Sequence, residues 1–320
     1  MGSIGRVMRH CATALWCGVW VLLAGNAPAF AQTARTAGAA TAATAGDALT
    51  GVLARIRHTG TVRLGYRQHA LPFSFVGQGK TPYGYSIDLC LAVVEEITDA
   101  TGGHPLRIEY LPVTPENRID RVVNGEIDLE CGATTNTAQR RARVAFSPLT
   151  FVAGTRLAVP RASGLRSRRD LAGRKVAVAR GTTNEDAIRQ IVAKTGLRTE
   201  IVTTEDIAQA FALVAAGQAD AVASDDVLLM GYLAEVGQRA RYDVVGELLS
   251  YEPYGIMYAR DDAPLAAAVT AAFVRLARTR ELRWIYLRWF ERQLPSGVRL
   301  GLPMSPQLQR AFEMIGLPPE

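Results

Sequence analysis

Twice along this chain, short runs of β-branched and small apolar residues alternate with longer stretches of helical periodicity. In the first set, residues 62–65 and 107–111 read as strands. They flank a helix over 86–101 whose Ile87, Leu91, Val94 and Ile97 fall on one face. In the second, strands at 175–179, 200–203 and 221–223 alternate with helices at 185–194, 207–216 and 227–236. Strands separated by helices predict an α/β class, with parallel sheets covered by helices on both faces. Two such sets predict two lobes. Ligands of these folds lie outside the carboxyl ends of the strands, which puts a ligand in the cleft between the lobes. Residues 263–294 read as a long helical segment, with Leu282, Ile285, Trp289 and Phe290 recurring at helical spacing as core.

The stretch DLECGATTNTAQRRARVAFS, residues 128–147, carries the clearest chemistry. Ile127, Leu129 and Cys131 alternate with Asp128 and Glu130, the pattern of a half-buried strand. Gly132-Ala133-Thr134-Thr135 follows, a loop small enough for backbone to approach a ligand and supplied with hydroxyls. Asn136 or Thr137 is placed to cap a short helix carrying Arg140 and Arg141. Guanidinium groups grip carboxylates through two parallel hydrogen bonds, so this is an anion pocket at a strand end. No nucleophile with a partner base lies near it.

Composition bounds the alternatives. The chain has 320 residues, of which 48% are hydrophobic and 21% charged, enough for one large domain or two ordinary ones and too apolar for disorder. Arg6, Arg9 and His10 precede an apolar run over 11–25, and Ala29-Phe30-Ala31 supplies a cleavage site before Gln32. Residues 1–31 are thus expected to be a signal peptide and 32–48, rich in Ala, Thr and Gly, a flexible leader. Lys and Arg number 36 against 30 Asp and Glu, a mild excess spread along the chain. With no basic stripe interleaved with aromatics, nucleic acid is not an expected partner. After cleavage Cys90 and Cys131 remain. In an oxidising compartment a Cys90–Cys131 disulfide is the favoured reading, two separate buried thiols the other. No His or Cys stands at metal-ligand spacing, and neither metal nor cofactor is expected.

Two motifs mislead. Gly77-Gln78-Gly79-Lys80-Thr81 looks like the end of a phosphate-binding loop, but position 74 is Ser74 where that pattern needs glycine. It reads instead as a turn before a strand. A hydrolase would show a nucleophile elbow, and none is present.

Together with GYSIDLCLAVVEEI (84–97) and LPVTPENRI (111–119), the stretch around Arg140 resembles the periplasmic amino-acid-binding proteins of bacterial ABC importers, closest to their glutamate/aspartate branch. The likeness continues in the family's order through TFVAGTRLAV (150–159), LAGRKVAVARGTTNE (171–185), SDDVLL (224–229), EPYGIMY (252–258) and WIYLRWF (284–290). It implies the two-lobe periplasmic-binding-protein fold, with the second lobe (154–253) inserted between 49–153 and 254–320, and hinge crossings near 153–156 and 250–254. It implies an extracytoplasmic, monomeric protein that captures an amino acid in the periplasm and delivers it to a membrane permease.

The resemblance also distributes roles. Arg140, helped by Thr135, backbone N–H groups around Ala133, and Thr183 from the second lobe, meets the α-carboxylate. Asp225 takes the ammonium; read from the residues alone, an Asp-Asp pair at a strand end is a helix N-cap, and Asp226 is placed to be that cap. Arg67 and Arg118 meet a side-chain carboxylate. The sequence departs from the branch at Pro115 and Ala133, where serines are expected, and at Ile207, where a histidine is expected. These departures keep open a neutral polar ligand such as glutamine or asparagine, or another small carboxylate. Some relatives of this fold are periplasmic dehydratases, and Asp225 is the residue that could act as acid or base in one.

Overall fold

Val62 and Leu64 put two fully buried apolar side chains on one face of Thr61–Tyr66, so the strand needs cover on that face and neighbours on its edges. The computed structural model, which describes residues 49–77, 79–294 and 297–318, gives it both. Its sheet runs Arg107–Pro112, Thr61–Tyr66, Leu129–Glu130, Met257–Ala259, Val144–Phe146. A second five-stranded sheet runs Glu200–Thr204, Lys175–Ala179, Ala221–Asp225, Thr155–Pro160, Tyr242–Val245. Helices flank both, giving two lobes of mixed α/β structure. The expected signal peptide (1–31) and leader (32–48) lie outside the described residues.

The expectation of parallel sheets needs correcting. The first three strands in each order are parallel; Met257–Ala259 and Thr155–Pro160 pair antiparallel with their neighbours. The cause is the chain path. Each of these strands follows directly from a crossing between the lobes, with no helix to reverse its direction. The crossings are Phe151–Ala153 and Glu252–Tyr254, which pair antiparallel with Glu252 opposite Ala153 and Tyr254 opposite Phe151. Both are anchored in an aromatic cluster of the first lobe. Phe73 meets Phe151 and Tyr254 edge-on at 5.1 Å each, and Phe151 stacks on Phe290 at 4.8 Å. Such pairs add about 0.5–1.5 kcal/mol each beyond burial alone.

Two further expectations change. The 263–294 segment is not one helix. Ala263–Arg278 ends where Arg280 turns left-handed (φ 63°), and a short helix, Glu281–Tyr286, restarts after it. Leu282, Trp289 and Phe290 are nonetheless buried core, with Ile285 packed against them. Nor is the strand at 127–131 half-buried: Asp128 and Glu130 are as buried as the apolar residues between them. Asp128 is matched by Arg55 at 2.6 Å and Arg63 at 3.0 Å. The strands on either side of the 77–81 segment, Ser74–Val76 and Pro82–Tyr83, pair antiparallel.

Cys90, inside the Tyr85–Ala100 helix, is bonded to Cys131, with their Cα atoms 6.1 Å apart. One turn earlier, Ser86 Oγ donates to the Gly132 carbonyl at 2.7 Å. The helix therefore holds the start of the 132–135 loop at two points. No helix among the described residues is long and apolar enough to cross a membrane.

Candidate functional site

The 132–135 loop leaves the end of Leu129–Glu130 and is stitched to the return crossing. Gly255 N donates to Thr134 O at 3.1 Å and Asn136 N to Pro253 O at 2.7 Å. Gly132 is required by close approach: a Cβ there would stand 2.3 Å from Glu130 Oε1 and 2.9 Å from Arg67 Cγ. Of the two candidate caps, Thr137 accepts from Arg140 N at 3.1 Å and starts the four-residue helix Ala138–Arg141. Arg141 stays exposed, whereas Arg140 is buried and folds back over the loop. Its Nη1 donates to Thr135 O at 2.9 Å and its Nη2 crosses to Gly181 O of the second lobe at 3.3 Å.

Arg67 and Arg118 are buried with it, at 6% and 2% exposure, so neither is a solvated surface residue. Arg118 Nη1 donates to Ala133 O at 2.8 Å, while its Nε is buried without a partner. Burial, reinforced by the neighbouring Arg118 charge, brings the Arg67 and Arg140 guanidiniums down to about 10. Glu130 opposes that shift in both. Its Oε2 accepts from Thr134 Oγ1 at 2.7 Å and its Oε1 has no partner. Pro115, Ala133 and Ile207 are all buried, Ile207 opening the Ile207–Ala215 helix behind its cap Asp206.

From the second lobe, Thr183 begins the Thr183–Thr195 helix and Asp225 ends the Ala221–Asp225 strand. Asp225 Oδ2 accepts from Asn184 Nδ2 at 3.4 Å, and Oδ1 is buried without a partner. Desolvation, then the nearby Glu252 charge, raises its carboxyl to about 7. Asp225 stands at the N-cap position of the following helix yet caps nothing with its side chain. Asp226 takes the local N–H groups instead, from Val227 at 2.8 Å and Gly154 at 3.4 Å.

Glu252, Glu130 and Asn184 escaped sequence reasoning. Glu252 lies on the return crossing, and its Oε2 accepts from Thr135 Oγ1 and from Thr183 Oγ1, each at 2.6 Å. An acid within the buried pattern EPYGIMY is the signal that could have found it. The lobes meet closely at two rims. A Cβ on Gly181 would come 2.9 Å from Glu116 Cα, and one on Gly231 2.0 Å from Leu71 O. Between these contacts lies a buried polar set: three guanidiniums, Glu130 and Thr135 from the first lobe, Asp225 and Asn184 from the second, and Glu252 from the crossing.

A model of the bacterial extracellular solute-binding proteins, family 3, matches residues 62–292. The chain belongs to that family. Among family 3 proteins, the L-glutamate/L-aspartate-binding protein of Pseudomonas aeruginosa is 36% identical over 287 residues, covering 89% of this chain and 95% of the relative. The glutamate/aspartate import solute-binding protein of Escherichia coli is 29% identical over 288 residues, covering 90% and 95%. Among solved structures, the ancestral amino acid-binding protein AncCDT-1, a precursor of cyclohexadienyl dehydratase, superposes with a TM-score of 0.64 at 28% identity, covering 75% of this chain and 99% of that one.

Proposed function

We propose that this protein is the extracytoplasmic binding component of an ABC importer, capturing glutamate or aspartate and handing it unchanged to a membrane permease. One observation carries the choice of ligand class: Arg67 and Arg118 are two buried cations side by side, with Glu130 and then Asp206 opposing the shift of Arg67. Arg118 Nε is buried without a partner, and a side-chain carboxylate would supply one. Charge-assisted hydrogen bonds contribute about 1.5–3 kcal/mol each, and an unpaired buried cation is strongly unfavourable. Arg140 suits the α-carboxylate common to all amino acids, and Asp225 the ammonium. The names of the curated relatives support the same reading.

The raised carboxyl of Asp225 follows from burial beside Glu252 and needs no acid–base role. We therefore place the protein among binders, not dehydratases. We take it to act as a monomer in the periplasm after losing residues 1–31. Lobe boundaries at 49–153, 154–253 and 254–320 fit crossings at Phe151–Ala153 and Glu252–Tyr254.

A second reading has its own observation. Glu130 Oε1, buried and unpartnered, could accept from a side-chain amide, which would favour glutamine or asparagine. A thermal-shift screen of the mature protein against single amino acids separates the two. Ligand at about 100 times its dissociation constant stabilises by roughly 2.7 kcal/mol. Shifts with glutamate and aspartate support the first reading; shifts only with their amides support the second.

A further inference from the structure

The family match ends at residue 292, and the described chain continues beyond it through residues 297–318. This segment is rooted in the first lobe. Ser305 caps its helix, Pro306–Met314, by accepting from Leu308 N at 3.2 Å. Leu308 and Phe312 are fully buried, in one core cluster with Phe273 and Phe290. The stretch before the helix is tied down through the backbone. Leu302 N donates to Phe290 O at 2.9 Å, Tyr286 Oη to Leu302 O at 3.3 Å, and Arg299 Nε to Glu291 O at 2.9 Å.

The same segment reaches the second lobe. Next to the Glu252–Tyr254 crossing, Gln307 Nε2 donates to Tyr251 Oη at 2.6 Å. Farther out, Arg239 Nη1 donates to Arg299 O at 3.0 Å. Between the two, Val227 and Met230 of the Asp226–Glu235 helix face Leu302 and Pro303 across a cavity of about 100 Å³. Gly231, four residues on from Val227 and so on the same side of the helix, lies against Leu71 O. The helix is thus seated on a surface that the body of the first lobe and the 297–314 segment share.

The two hydrogen bonds stand at different distances from the pivot. Asp226 N, at the start of that helix, donates to Gly154 O at 2.9 Å, directly after the Phe151–Ala153 crossing. A helix of 10 residues is about 15 Å long, so Arg239, past its far end, is carried through a wider arc than Tyr251 when one lobe turns against the other. We propose that residues 297–314 form a strap across the two lobes: the Tyr251 bond persists through the hinge motion, whereas the Arg239–Arg299 bond forms only as the cleft shuts and slows its reopening. This rests on the reading of the cleft as an amino-acid site that closes, but not on which amino acid fills it. A bond present only in the shut arrangement shifts the equilibrium towards it and slows ligand release without touching the ligand.

The test is stopped-flow kinetics of glutamate binding to the mature protein and its variants. Arg239→Ala should speed glutamate release about three- to tenfold, the contribution of one exposed hydrogen bond, with association unchanged within about twofold. Arg239→Lys, which keeps a donor, should recover part of the loss. Tyr251→Phe, which removes the bond beside the pivot, should leave release within about twofold of wild type. Both side chains are exposed, so neither change endangers folding. Hydrogen exchange supplies a second readout: the amides of residues 299–302 should gain protection on ligand binding in wild type and not in Arg239→Ala. Unchanged release in Arg239→Ala, a loss of affinity carried by slower association, or equal acceleration in Tyr251→Phe overturns the strap. So does protection of residues 299–302 that ligand leaves unchanged. Wild type that binds glutamine in place of glutamate defeats the proposed ligand class alone, and the same measurements with glutamine then decide on the strap. Wild type that binds no amino acid defeats the amino-acid reading and this inference with it.

Discussion

Thr135 and Thr183, one from each lobe, bring their hydroxyl oxygens within 3.2 Å of each other across the cleft. That contact, with Arg140 reaching Gly181 O at 3.3 Å, ties the proposed ligand partners of the two lobes together. Neither lobe holds the complete set of ligand partners.

Closure can be blocked without touching the ligand site. Gly231 lies inside the Asp226–Glu235 helix, and a Cβ there would stand 2.0 Å from the backbone oxygen of Leu71 in the other lobe. Backbone at that distance has to move. Alanine is otherwise the better helix residue, by about 0.8–1.0 kcal/mol. Gly231→Ala should therefore leave the ligand-free melting temperature unchanged or higher while weakening ligand binding at least tenfold. Small-angle scattering should show wild type contracting with ligand and the variant contracting less.

Backbone and side-chain recognition separate through two arginines. Arg140→Ala removes the grip on the α-carboxylate, so affinity should fall for every amino acid alike. Arg118→Ala should weaken glutamate or aspartate by about 2–5 kcal/mol, the usual cost of breaking a buried charge pair. Glutamine binding should hold or improve in that variant, because one uncompensated cation has gone. Calorimetry with both ligands reads the difference.

Binding should be linked to protons through Asp225. Its carboxyl is raised to about 7 by desolvation and Glu252. An ammonium beside it favours the ionised form and lowers that value. Ligand binding below about pH 7 should therefore release a proton, and affinity should weaken as pH falls from 8 to 5. The same shift, taken alone, costs folding stability as pH rises. The folded protein keeps a proton that the unfolded chain loses above its ordinary carboxyl value, so the penalty grows up to about pH 7 and is constant above. Calorimetry in buffers of different ionisation enthalpy measures the protons released. Asp225→Asn should abolish the release.

The Cys90–Cys131 bond closes a loop with a sequence separation of 41 residues and fixes the residue before Gly132. Replacing both cysteines with alanine should lower unfolding free energy by about 2–4 kcal/mol. Affinity should fall as well, since only the Ser86 bond then holds the start of the 132–135 loop to the helix. Urea denaturation and calorimetry of the double variant test the two effects.

Local pattern made much of this readable in the chain. The Lys175–Ala179 strand and the Tyr85–Ala100 helix follow from β-branched runs and a 3.6-residue apolar period. The resemblance singles out Arg67, Arg118, Arg140, Thr135, Thr183 and Asp225; all but Thr183 are buried, and Thr183 lies 3.2 Å from Thr135 across the lobes. What was illegible depends on partners distant in sequence. Glu130 alternates with apolar neighbours exactly as a solvent-facing residue would, and only the strands on either side of it bury it. Glu252 acquires its partners from positions 117 and 69 residues away. The antiparallel strands Thr155–Pro160 and Met257–Ala259 reflect a chain path between lobes, which no local period encodes.

The central claim is that a side-chain carboxylate is what the Arg67 and Arg118 pair selects. Titration calorimetry of the mature protein with glutamate and glutamine, followed by mass spectrometry of the recovered ligand, tests it most directly. The account predicts one-to-one binding of glutamate at least 100-fold tighter than glutamine, with the ligand recovered intact. Equal or tighter binding of glutamine, or a chemically altered ligand, would contradict it.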